Sequence, residues 1–108
     1  MVYKTLNYIY KTLENKINNY IEIVDDIEYF DSFVEGIIVH FSTGECLQVF
    51  YDIDNKINDI NNNIIVLDEN LNIKINSDNI NYIINNIISI VEEKNKNINN
   101  NINNYIIL

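Results

Sequence analysis

Apolar and polar residues alternate one by one in the middle of this chain and step by threes and fours towards its ends, so the pattern predicts strands flanked by helices. The clearest alternation runs from Gly36 to Asp54. Ile37, Val39 and Phe41 fall to one side of a first arm, and Leu47, Val49, Tyr51 and Ile53 to one side of a second. Between them Ser42-Thr43-Gly44 suits a three-residue hairpin loop whose last residue is left-handed, a conformation glycine takes without Cβ strain. Phe41 opposite Glu45 then sets Val39 against Leu47 and Ile37 against Val49, and one register satisfies both the turn and the apolar face. The other face reads His40 beside Cys46, Ile38 beside Gln48 and Gly36 beside Phe50, mixed and partly wet.

Residues 3–20 predict an amphipathic helix, with Tyr3, Leu6, Tyr10, Leu13, Ile17 and Tyr20 on one stripe, Ile9 widening it, and Asn18-Asn19 as its stop. Over 21–35 two periods compete. Ile21 and Ile23 predict a short strand, after which an acidic connection holds a helical turn ending near Gly36, with Phe30 and Phe33 pointing inward. Residues 55–63 read as a linker or a single helical turn. A second hairpin is expected with Ile65 and Leu67 paired to Leu71 and Ile73 around Asp68-Glu69-Asn70, Asn70 taking the left-handed position. Ser77 is the expected N-cap of a last helix, Asp78 lies in its first turn, and Ile80, Ile83, Ile84, Ile87, Ile88 and Val91 form its stripe. The pattern fades over 92–97 and resumes at Ile98, Ile102, Tyr105 and Ile106 in an asparagine-rich background of poor helix propensity. The expected fold is a single α+β domain over 1–108: a small antiparallel sheet of two hairpins, with both helices on one sheet face and 97–108 as a flexible or self-associating tail.

At 108 residues the chain can bury one core without a disulfide or metal, and its single cysteine staples nothing internally. No run approaches the roughly 20 apolar residues of a membrane span, and the first residues do not resemble a signal peptide, so a cytoplasmic protein of the producing or host cell is expected. Alanine, arginine, proline and tryptophan are absent, while isoleucine and asparagine supply over two fifths of the residues. Without arginine the chain lacks the fork that reads phosphate and guanine, and a net charge of −9 further disfavours direct nucleic-acid binding. The charge is also uneven. No lysine lies between Lys16 and Lys56, whereas Glu22, Asp25, Asp26, Glu28, Asp31, Glu35, Glu45, Asp52 and Asp54 all do.

Little in the sequence points to catalysis. His40 and Cys46 oppose one another across the hairpin, a starting point for nucleophilic chemistry, but neither an orienting third group nor an oxyanion site is evident. As a zinc site the pair lacks two ligands. Asp52-Ile53-Asp54-Asn55-Lys56 opens like a calcium loop and fails at its fifth position, where a lysine stands, and at its sixth, Ile57. Two glycines cannot build a phosphate loop or nucleotide fingerprint. No cofactor or metal is expected. The carboxylates Glu22, Asp25, Asp26, Glu28, Asp31, Glu35, Asp52 and Asp54 are expected to form a face that docks a basic partner, with Tyr29, Phe30, Phe33 and Tyr51 as neighbouring anchors. The function expected is a non-enzymatic module binding a basic protein surface. Its most concrete form is a stoichiometric inhibitor that presents carboxylates to a nucleic-acid-binding protein where phosphates would lie, in the manner of small phage or mobile-element anti-defence proteins. Two other classes stand beside it: a structural or adaptor subunit forming homodimers through Tyr105, Ile106 and Leu108, and a small enzyme using Cys46 and His40.

Overall fold

A computed structural model describes residues 5–52 and 63–107, the last ten as backbone only. The fold is α+β. A five-stranded antiparallel meander, in the order β1-β2-β3-β4-β5, carries an N-terminal and a C-terminal helix on one face. The elements are α1 (Thr5–Ile17), β1 (Val24–Phe30), β2 (Gly36–Phe41), β3 (Cys46–Tyr51), β4 (Ile64–Asp68), β5 (Ile73–Ser77) and α2 (Ile80–Ile107).

The helices form where the apolar stripes run at helical spacing. Leu6, Ile9, Leu13 and Ile17 of α1 are buried, with Tyr10 and Tyr20 packed at their margin. At Asn18 the helix tightens into one 3₁₀ turn and stops. Ile83, Ile84, Ile87 and Val91 of α2 are buried, flanked by Ile80 and Ile88. Both stripes meet the inward residues of the sheet, Ile37, Val39, Phe41, Leu47, Val49, Ile64, Val66 and Ile75. Fully burying such a side chain is worth about 1.5–3 kcal/mol, which makes this layer the dominant source of stability.

The central hairpin has the expected register, from Gly36 opposite Phe50 to His40 opposite Cys46. Its loop closes as expected too, with Gly44 N–H donating to the Phe41 carbonyl and Phe41 N–H to that of Glu45, both at 3.0 Å, and Gly44 at φ 91°.

Three expectations are corrected. Ile21–Ile23 is not a strand: Ile23 N–H donates to the Tyr20 carbonyl at 3.1 Å in a turn, and the strand follows as β1. A bulge between Val24 and Asp26 shifts the alternation by one residue, which hides the strand period in the sequence. Phe30 and Phe33 do not enter the core either. Phe30 lies on the face that carries none of the described helices, and Phe33 is 100% exposed, because the β1–β2 connection runs off the end of the sheet where there is no interior to enter. Gly36, considered as a helix cap, instead opens β2.

The second hairpin slips by one residue. Its loop is Glu69-Asn70-Leu71, closed by Leu71 N–H to the Asp68 carbonyl and Asp68 N–H to that of Asn72, both at 3.0 Å, so the left-handed residue is Leu71 (φ 66°) rather than Asn70. Asp68 sets this register: its Oδ1 accepts the N–H groups of Asn70 and Asn72, each at 2.9 Å. Leu67 pairs with Ile73, and a further irregularity follows at Val66/Leu67. The N-cap of α2 is Asn79, whose Oδ1 accepts Tyr82 N–H at 3.0 Å, because Ser77 is still engaged in β5 opposite Ile64. Residues 55–62, Asp54 and Leu108 lie outside the described residues.

Candidate functional site

β1 is one of the two outer strands of the described meander, and the bulge that hides it in the sequence also spreads its carboxylates along the edge. Asp25, Asp26 and Glu28 are exposed on β1, Glu22 is exposed in the turn that precedes it, and Asp31 in the turn that follows. The entry to the strand is tied down by the central hairpin: Ser42 N–H donates to the Ile23 carbonyl at 2.8 Å and Ser42 Oγ to that of Glu22 at 3.1 Å. Five of the eight expected partner-binding carboxylates therefore line one edge.

Glu35 and Asp52 stand apart from this edge. Glu35 is partly buried, and its charge adds to the burial that raises the phenols of Tyr29 and Tyr51 above the ordinary tyrosine value. Asp52 follows β3, its N–H donating to the Asn63 carbonyl at 2.7 Å. Of the expected anchors, Tyr29 and Tyr51 pack against the core, the Tyr51 phenol receiving hydrogen bonds from the Thr5 side chain and the Leu6 backbone at the start of α1. Tyr29 stacks on Tyr10 with ring centroids 5.4 Å apart. Phe33 is left at the tip of the turn with half-exposed Val34 beside it.

One acidic residue the sequence did not single out joins the edge. Glu14 of α1, with Ile17, Val24, Asp25 and Asp26, lines a groove of about 210 Å³ between helix and strand. Its carboxylate accepts the Tyr10 hydroxyl at 2.9 Å, the main reason that phenol titrates above its usual range. A helical stripe places Glu14 off the core, but its approach to β1 depends on the packing of α1 against the sheet.

His40 and Cys46 are cross-strand neighbours on the face without helices, and Glu28 supplies the orienting carboxylate absent from the sequence reading, Oε1 lying 3.1 Å from His40 Nε2. The imidazole is engaged with Glu28, and the hydrogen bonds described include none from it to Cys46. Among the described residues, no group of three or more histidine, cysteine, aspartate or glutamate side chains is placed to hold a metal ion. No described helix is long and apolar enough to cross a membrane. The largest cavity described, about 270 Å³, lies between the two hairpin loops and α2. Both of its lysines are paired: Lys94 bonds Glu45 at 2.9 Å, which holds that carboxyl below its ordinary range, and covers the Phe41 ring at 5.0 Å, while Lys74 reaches Asp68 at 3.6 Å; Glu69 and Glu93 also line it. The side chains of Tyr105 and Ile106, expected to mediate self-association, lie outside the described residues.

No protein-family model, curated protein or solved structure matches this chain.

Proposed function

We propose that this protein is a non-enzymatic binding module that docks a basic protein partner along the acidic outer strand β1. The observation carrying the reading is the run of exposed carboxylates Glu22, Asp25, Asp26, Glu28 and Asp31 along one outer edge of the described sheet, ending in a turn that holds Phe33 fully exposed. Carboxylates along an edge steer a cationic partner and reject acidic ones, and an exposed aromatic at the end of the run supplies the buried anchor around which interfaces concentrate their energy. The partner class is a protein whose basic surface serves nucleic acid, with the module acting as a stoichiometric inhibitor of the phage or mobile-element anti-defence type. Replacing Asp25, Asp26, Glu28 and Asp31 by lysine weakens binding to such a partner by well over tenfold while the circular dichroism of the fold is kept. Unchanged affinity in the folded variant removes the acidic edge from the mechanism.

A second reading rests on α2. The helix continues to Ile107, well past Val91, its last buried position among the described residues, and the molecule measures 57 × 24 × 23 Å. Asparagine is a poor helix former, and an unsupported arm of this composition gains its stability from packing. Self-association of two copies through residues 97–108 supplies it, in an adaptor or structural subunit.

A further inference from the structure

The meander has a second face, and its composition is not that of a face meant for water. In an antiparallel sheet covered on one side, outward positions are ordinarily polar. Here the outward positions of the three central strands include Ile38 on β2, Phe50 on β3, and Ile65 and Leu67 on β4; Phe30 of β1 and Ile73 of β5 extend the patch to both edges. None of the six belongs to the core or packs against it, and Ile73 is 62% exposed. Phe30 and Phe50 meet over Gly36 with centroids 5.8 Å apart, and a Cβ on Gly36 would come within 2.5 Å of the Phe50 ring and 2.7 Å of the Phe30 ring. The glycine leaves room for two aromatic rings, tilted at 58° to one another, on the side away from the described helices.

Charge identifies the occupant. On this face the charged groups of the described strands are Asp26 and Glu28 of β1, with His40 held by Glu28, and the register carries Asp52, just past β3, to the same side. The described lysines lie elsewhere: Lys11 and Lys16 on α1, Lys94 and Lys96 on α2, and Lys74 on β5, which turns to Asp68 in the cavity beneath α2. An apolar floor with an acidic rim on one side complements an apolar stripe with a cationic flank. The floor also offers side chains rather than backbone groups, which are engaged in the ladders, so its occupant must satisfy its own backbone hydrogen bonds. Five strands span roughly 19 Å at the usual spacing, enough for one α-helix about 10 Å across.

We infer that the face of the sheet carrying none of the described helices docks a cationic amphipathic helix of a protein partner, its apolar stripe over Phe30, Phe50, Ile38, Ile65 and Leu67 and its lysines or arginines over Asp26 and Glu28. The docked helix completes a third layer on the sheet. The inference rests on the reading of a basic partner and specifies the part of that partner that is held.

The test uses the full chain with labelled isoleucine and leucine methyls and three synthetic peptides: a helical peptide with a leucine stripe and lysines opposite, the same peptide with glutamate for lysine, and a lysine peptide of equal charge with its leucines scrambled. The expected result is binding of the first peptide with the largest shifts at Ile38, Ile65, Leu67 and Ile73, and at least tenfold weaker binding of the other two. The pair Ile65→Thr and Leu67→Thr, which places strand-favouring β-branched side chains at both positions of β4, lowers affinity for the first peptide at least tenfold with circular dichroism unchanged. Equal affinity for the scrambled peptide, shifts confined to the helices or to the turns around β1, or concentration-dependent shifts of the face methyls without peptide would overturn it, the last by identifying a second copy as the occupant. Wild-type methyl shifts decide the matter even if the paired substitution fails to fold. Lost partner binding in the β1 charge-reversal variant together with unmoved face methyls removes the helix and keeps the acidic edge; the opposite pattern removes the edge.

Discussion

Leu71 carries the clearest local strain described in the chain. It is held at φ 66°, where a residue other than glycine or asparagine costs about 1 kcal/mol or more, and its side chain is 66% exposed, so little packing offsets that cost. Leu71→Gly is expected to raise unfolding stability by about 1 kcal/mol in urea titration, and an unchanged or lower midpoint would show that the loop is not strained. Asp68 is the compensating group. Hydrogen bonds from the Asn72 and Asn70 N–H groups hold its carboxyl below the ordinary 3.8, outweighing its desolvation. A carboxyl whose folded pKa lies below its unfolded value contributes stability that is complete above the unfolded pKa and is lost as pH falls through the folded one. Asp68→Ala is therefore expected to be less stable than wild type at pH 7 and to lose stability less steeply between about pH 5 and 2; parallel acid limbs would contradict this. The hairpin itself was legible in Ile65, Leu67 and Ile73. The position of its loop was not, because asparagine's tolerance of left-handed backbone weighed for Asn70, whereas the carboxylate of Asp68 organises the two donors and moves the turn one residue on.

At the scale of elements, the two helices were legible because nothing interrupts their period: Leu6, Ile9, Leu13 and Ile17 on one, and Ile80 to Val91 on the other, sit where the stripes put them. The start of α2 was misjudged because Ser77, a good cap by residue type, is engaged in the sheet. β1 was hidden for a different reason. Its bulge breaks the alternation at Val24/Asp26, so Ile27, Phe30 and Val34 mimic a helical step although one faces the core, one the opposite sheet face and one the turn. The acidic cluster was thus visible while the edge it lies on was not. Charge on an outer strand also discourages pairing with another chain's edge, so the β1 carboxylates keep the sheet from extending itself. For α2, deletion of residues 97–108 is expected to leave the core intact and to lower the solution mass from dimer to monomer if the projecting helix is a self-association arm. An unchanged mass in light scattering would set that reading aside.

Taken whole, the molecule is a two-layer body with its described lysines on the helical side and a run of exposed carboxylates along one sheet edge. That asymmetry was legible in the gap between Lys16 and Lys56, and Glu45 shows its limit: it belongs to the same acidic third of the sequence but is neutralised by Lys94 from a distant helix. The uncovered face was partly legible, since the hairpin register placed His40, Cys46, Ile38, Gln48, Gly36 and Phe50 together. Its apolar extent depended on strands β1 and β4 and could not be read from one hairpin. The measurement that bears most directly on the basic-partner account is capture from lysate of the source organism by the wild-type and β1 charge-reversed chains, with and without added nucleic acid and at two salt concentrations, read by mass spectrometry. The account predicts that wild type retains nucleic-acid-binding proteins, releases them to competing nucleic acid or higher salt, and loses them on charge reversal. Recovery of the same proteins by both chains, or of this chain alone, would contradict it.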